Sequence, residues 1–174
     1  MQVLTTVTFV YAMREDRILA AINSGRPDAW SCWLTRRVVL ALLERVAEIL
    51  AKTSPLAQRA PPESRSEVVA FERDAAMAKT AERMTKTPAE ALNASATAAE
   101  LVDRLSIANL GENFRVEFYG SSGGGAAGVL ARAGLQRIMQ MLQDEVVKAG
   151  WVALPAAAQP APAVEEPGPK PFRH

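Results

Sequence analysis

The chain of 174 residues contains one cysteine, Cys32, and one histidine, His174. A single cysteine excludes an internal disulfide and fits a reducing compartment. With that cysteine and a histidine at the very end, tetrahedral zinc ligation of the structural kind cannot be assembled within one chain, and a histidine-dependent triad lacks its base. No apolar run approaches the ~20 residues that a bilayer-spanning helix needs. Twenty lysines and arginines against nineteen acidic residues leave a formal charge of +1, so no overall field steers the protein to nucleic acid or an anionic membrane, although a local patch stays open. The adjacent carboxylates Glu15 with Asp16 and Asp144 with Glu145 read as solvated charge on a turn and on an exposed helix. These scarcities set the expectation of a noncatalytic protein without cofactor, metal or membrane partner. There is no basic leader before the first apolar residues and no small-residue cleavage site, so the N-terminus reads as a strand of a cytoplasmic protein.

Hydrophobic residues make up 49% of the chain, enough for one compact domain or two small lobes sharing a core. The most legible stretch is Phe114 to Ala149. Phe114, Val116 and Phe118 alternate with Arg115, Glu117 and Tyr119, the period-2 pattern of a strand with one buried face. Ser121 to Gly125 form a flexible turn, and Ala126 to Leu130 fit an antiparallel return. Leu135, Ile138, Met139, Leu142 and Val146 then recur at helical spacing, and Gly150 stands where a helix ends in left-handed backbone.

The same plan recurs upstream under one gapless shift of 96 positions, taken as Arg132 onto Arg36. The helix residues fall on Val39, Leu42, Leu43, Val46 and Leu50, the strand residues on Ile18, Ala20 and Ile22, and Leu105 and Ile107 on Phe9 and Tyr11. Any two amphipathic helices can be slid into register; agreement of strand phase and helix phase under the same shift favours a repeat. The expected fold is therefore α+β, with two βββα repeats (residues 1–54 and 101–152) in antiparallel sheets packed on helices. A linker and helical insertion (55–100) joins them, and a Pro/Ala-rich tail (153–174) has too little apolar surface to fold.

Within the first repeat, Thr35 is placed to cap a helix from Arg36 to Lys52. Leu40 and Ile49 widen its apolar arc, whereas their counterparts Gln136 and Glu145 are polar, so the insertion is expected to cover the first helix more fully than the second. Pro55 to Pro62 reads as a linker. Ser64 with Glu67 forms a capping box for a helix to about Lys86, carrying Val68, Phe71, Ala75 and Ala78 on one face. Thr87, Pro88 and Glu90 start a weak alanine-rich segment. Residues 101–110 fit either a capped helix or a strand, and the repeat favours a strand from about Arg104.

Gly123, Gly125 and Gly128 satisfy GxGxxG between a strand and a helix. The dinucleotide reading also needs a second parallel strand ending near an acidic residue, and a Walker cradle needs a lysine followed by serine or threonine; both are missing, so a hairpin turn is expected. Cys32 shares an inward phase with Trp30 and Leu34, the position of an inert buried thiol.

Two surfaces remain. Val10, Leu19 and Trp33, with Ala12 and Ala21, make the second face of the first sheet unusually apolar; it is expected either to join an intramolecular core or to meet another subunit, most simply in a twofold homodimer. In the second repeat the same face carries Arg104, Arg115 and Tyr119, which could hold phosphate and stack a base of single-stranded nucleic acid. Tandem strands-plus-helix units resemble, in arrangement alone and without a shared motif, the PUR-type and Whirly-type nucleic-acid binders, and fold does not carry function. The leading expectation is a homodimeric scaffold, accessory or interaction protein, with nucleic-acid binding as the alternative.

Overall fold

The alternation through Phe114, Val116 and Phe118 places these side chains in the core and makes Asn113–Gly120 the central strand, β6, of the second half of the molecule. The structure is a computed structural model and describes residues 1–80 and 87–151. In chain order the strands are β1 (Gln2–Val3), β2 (Val7–Ala12), β3 (Arg17–Ile22), β4 (Trp30–Leu34), β5 (Glu100–Leu110), β6 and β7 (Gly125–Ala131). The helices are α1 (Arg36–Thr53), α2 (Pro55–Arg59), α3 (Arg65–Thr80), α4 (Ala89–Ala98) and α5 (Arg132–Lys148), with a 3-10 turn at Pro62–Ser64. The fold is α+β, as expected. The expected tail, and the continuation of α3 to Lys86, lie outside the described residues.

All seven strands form one sheet in the order β1-β7-β6-β5-β4-β3-β2. Each three-strand meander is antiparallel, but β4 pairs with β5 and β1 with β7 in parallel, so the sheet is mixed and not purely antiparallel. A meander reverses direction at every turn. A helical crossover carries the chain back to the starting end and so lays β5 alongside β4 in the same sense.

β1 and β2 stand at opposite edges of the sheet yet are separated only by residues 4–6. Such a short link reaches at most about 14 Å, so the sheet curls until its two edges nearly meet. Asn23 holds the point where the first strand leaves β7 for β3. Its Oδ1 accepts from the N–H groups of Thr5 and Thr6, both at 3.1 Å, and its Nδ2 donates to Val3 O at 2.6 Å and Asp28 Oδ2 at 2.8 Å. The side chain is fully buried and sits at φ +51°, a left-handed conformation that asparagine tolerates better than most residues.

The concave side holds one core drawn from both halves, including Phe9, Ile18, Ile22, Leu34, Phe114, Phe118 and Leu135. From α1 it receives Val39, Val46 and Leu50, and from α5 Leu135, Met139, Leu142 and Val146. Thr35 caps α1 as expected, accepting from Val38 N. Pro55 to Pro62 is not a bare linker: Ser54, fully buried, caps α2 by accepting from Ala57 N at 2.9 Å and donates to Glu72 Oε1 at 2.8 Å. Residues 101–110 are strand throughout, starting at Glu100 rather than Arg104 and preceded by α4.

The insertion covers the second helix as well as the first. Helix α3 packs on α5 and α1, Arg73 Nη1 reaches Gln143 Oε1 at 3.2 Å, and Gln136 and Glu145 are both buried. Glu145 is not solvated charge. Its Oε2 accepts from Tyr11 N at 2.8 Å on the edge strand, while Oε1 pairs with Lys148. Past the helix, Trp151 is buried against the β2–β3 turn, where its Nε1 donates to Asp16 Oδ1 at 2.9 Å and its ring meets Tyr11 edge to face.

Replacing Asn23 with alanine strands two backbone donors and an acceptor at a packed junction. The expected loss in urea unfolding is about 1–3 kcal/mol, because three part-buried hydrogen bonds at a net of roughly 0.5–1.5 kcal/mol each are lost and water can reach the freed groups. A loss below about 0.5 kcal/mol would show that the junction does not rely on that amide.

Candidate interaction surfaces

The glycine-rich turn is a packing device. Glu100 opens β5 and lays its carboxylate across the turn between β6 and β7, accepting from Trp30 Nε1 at 2.8 Å and from Ser122 N at 2.5 Å. A Cβ on Gly120 or Gly124 would overlap that carboxylate, and one on Gly128 would come within 2.8 Å of Leu4 Cβ. Gly123 takes φ +86° in the turn. Gly125 and Gly128 lie inside β7, paired with Tyr119 and Val116 of β6, and α5 begins only at Arg132. These amides therefore do not sit at a helix N-terminus as a phosphate cradle requires.

Cys32 is fully buried, and its register partner is Glu100. Burial, then the Glu100 charge, push the thiol up to about 12, which makes it a poor nucleophile. Among the described residues no group of His, Cys, Asp and Glu could hold a metal ion, and no helix is long and apolar enough to cross a membrane.

Of the apolar face of the first sheet, Val10, Leu19 and Trp33 are brought side by side by register. Leu19 is 3% exposed, and Val10 and Trp33 are half-buried. Helix α4 covers the neighbouring end of this face, where Ser31 Oγ donates to Ser95 O at 2.7 Å. The core common to both halves lies on the opposite side of the sheet. The face thus presents only the edges of Val10 and Trp33, with Leu101, the register partner of Trp33, 40% exposed beside them.

On the second half, Arg104 and Tyr119 are register partners, with the guanidinium 4.1 Å from the ring centroid. Arg115 Nε lies 2.8 Å from Glu117 Oε1, so this cation is already matched. Arg104, Arg115 and Tyr119 do share one face, as the strand phase predicts.

Two clefts flank the crossover strands. One of about 530 Å³ lies between the N-terminal strand and α5 and includes Thr5, Thr8, Gly134, Arg137, Ile138 and Met141. The other, about 400 Å³, lies between β5 and α1 and includes Val38, Ala41, Leu42, Arg45, Arg104 and Ile107. A third concavity of about 500 Å³ between α2 and α3 is lined by Leu56, Arg59, Ala60, Glu67, Val68 and Phe71. There Phe71 is 71% and Leu56 54% exposed. The sequence groups Phe71 with Val68, Ala75 and Ala78 on one apolar face of α3; the side that turns inward carries instead Val69, which packs on the core, and the buried Ala76. An apolar helix side is visible in a sequence, but which of two such sides turns inward depends on what it packs against.

Comparison with protein-family models, with curated proteins and with solved structures found no match.

The Glu100 joint gives a pH dependence. Partial burial opposes the charge, but the bonds from Ser122 and Trp30 outweigh it and hold the carboxyl below its usual range. A depressed folded value means that the joint stabilises the fold fully above about pH 4.3, the ordinary glutamate value, and that this contribution is lost as pH falls through the folded value. In thermal unfolding from pH 7 to pH 3, Glu100→Gln should melt below the parent at pH 7 and the gap should begin to narrow once the pH falls below the ordinary glutamate value. A gap that stays constant would refute the assignment.

Proposed function

We propose that the protein is a noncatalytic interaction protein, a scaffold or accessory factor made of two βββα units, and that it docks its partner through the α2–α3 groove. The observation that carries this reading is the exposure of Phe71 and Leu56 beside a concavity with apolar walls. Large apolar side chains grouped around a groove and rimmed by charge mark interaction sites more often than chance.

Internal duplication is supported by element positions. Helices α1 and α5 begin at Arg36 and Arg132, and β3 and β6 at Arg17 and Asn113, each 96 apart. The two parallel junctions obey the same shift. Cys32 pairs with Glu100, and the same displacement converts that pair into Gly128 and Leu4, the next step in the register that begins with Gln2 on Ala126. The clefts correspond as well, since Gly134, Ile138 and Met141 fall on Val38, Leu42 and Arg45. On this reading each unit's last strand receives the other's first strand, so one chain reproduces inside itself the closure that a twofold dimer of units would have.

A photo-crosslinking residue placed at position 71 tests the docking reading, with position 13 as the control because Met13 is 82% exposed on the distant β2–β3 turn. In cells of the source organism, a discrete protein adduct should form from position 71 and not from position 13. Equal labelling from both, or none from 71, would refute it.

The alternative, binding of single-stranded nucleic acid, draws on the guanidinium–aromatic pair of Arg104 and Tyr119 and is opposed by Glu117 on Arg115. If this face binds, affinity for an unstructured oligonucleotide should fall steeply between 50 and 200 mM salt, and Tyr119→Ala should weaken it by roughly 1–3 kcal/mol through lost stacking. The reading fails if fluorescence anisotropy detects no binding at low salt.

A further inference from the structure

The α2–α3 groove is unusual in how its helix is turned. Helix α3 directs Glu72 and Arg73 toward the rest of the protein, where Glu72 Oε2 and Arg73 Nε are buried without a hydrogen-bond partner. On its other side it holds Val68 half-buried and Phe71 in water. Arg73 Nε has Asp74 Oδ1 at 3.7 Å as an ion-pair partner, but an unpaired buried Glu72 Oε2 and an exposed phenyl ring both cost free energy, so burial alone would favour the opposite rotation. Apolar contact on the outer side is what would offset that arrangement.

The chemistry of the patch narrows the identity of the partner. A protruding phenyl ring and the shallow, open concavity that it walls together with Leu56, Ala60 and Val68 lie on the same patch, so a single surface supplies both a projecting apolar group and an apolar bed for one. The charges in its lining are one cation, Arg59, and one anion, Glu67, neither in an ion pair among the described residues. A strongly acidic or basic partner would leave one of them opposed by like charge. A twofold copy of the same patch matches both, because an isologous contact sets residue i against j and j against i.

Resting on the docking reading above, we infer that the occupant of this groove is the same groove of a second copy of the chain. Phe71 of each protomer enters the partner's concavity beside Leu56, and Arg59 of each faces Glu67 across the twofold axis. The homodimer is thereby assigned to the helical insertion. The sheet face of Val10, Leu19 and Trp33, partly covered within the chain, takes no part in it.

Light scattering of the full chain, with sedimentation to obtain Kd, tests this. The parent should run at twice the mass of the chain at tens of micromolar, and Phe71→Asp should run at the mass of one chain with unchanged far-ultraviolet circular dichroism. Arg59→Glu and Glu67→Arg should each raise Kd at least about tenfold by setting like charges together, and the double reversal should recover most of that loss. A parent that stays monomeric at about 100 μM overturns the inference, as does a dimer indifferent to Phe71→Asp or a double reversal no better than the single changes. If the parent is monomeric while position 71 still crosslinks to a different protein, the docking reading survives and self-association alone fails. If neither dimer nor adduct forms, both fall.

Discussion

One stretch of chain must serve two neighbours. Residues 2–4 bond alongside β7, residues 7–12 alongside β3, and the turn of backbone between them is held by three hydrogen bonds with a single buried side-chain amide, that of Asn23. Because the two ends of the sheet are tied through so short a link, the sheet cannot lie flat. The resulting curl creates a concave side that α1 and α5 fill, and the common core follows from that closure.

A second seam joins the halves where β4 meets β5, and there the chemistry is different. Glu100 adds to the parallel backbone pairing a charge-assisted bond to Trp30 and to the turn at Ser122, and glycine at positions 120 and 124 leaves room for the carboxylate. At the first seam Gly128 leaves room for Leu4. The glycine cluster is therefore a record of close approach between chain segments, and its resemblance to a nucleotide-binding fingerprint follows from a shared need for small residues. A carboxylate held in this way is costly to strand, which places Glu100 among the determinants of the fold although it looks like an ordinary surface residue in sequence.

The helical insertion stands apart from this economy. Strands and long helices also leave large apolar residues outside, Val129 and Val147 among them, but α3 joins an exposed Phe71 to Glu72 and Arg73 turned inside. The proposed docking reading rests on that inversion, and not on the sheet faces on which strand alternation first concentrates attention. The Arg104, Arg115 and Tyr119 face is largely self-matched through Glu117 and the Arg104–Tyr119 stack.

Sequence periodicity by itself determined the strands around Phe118 and Ile18, the two long helices and the inward set from Val39 to Val146. Burial of an apolar face repeats at 2.0 or 3.6 residues wherever it occurs. It also determined the inert setting of Cys32, whose strand phase points to the core. It could not determine the parallel seams, the capping helix at Ser54, the burial of Glu145 and Trp151, or the outward turn of Phe71. Each of those depends on a partner distant in the chain: Glu145 answers to Tyr11, Trp151 to Asp16, Glu100 to Trp30. Local pattern fixes which side of an element is apolar, but only tertiary contact decides which polar group is matched well enough to be buried and which apolar side is left exposed.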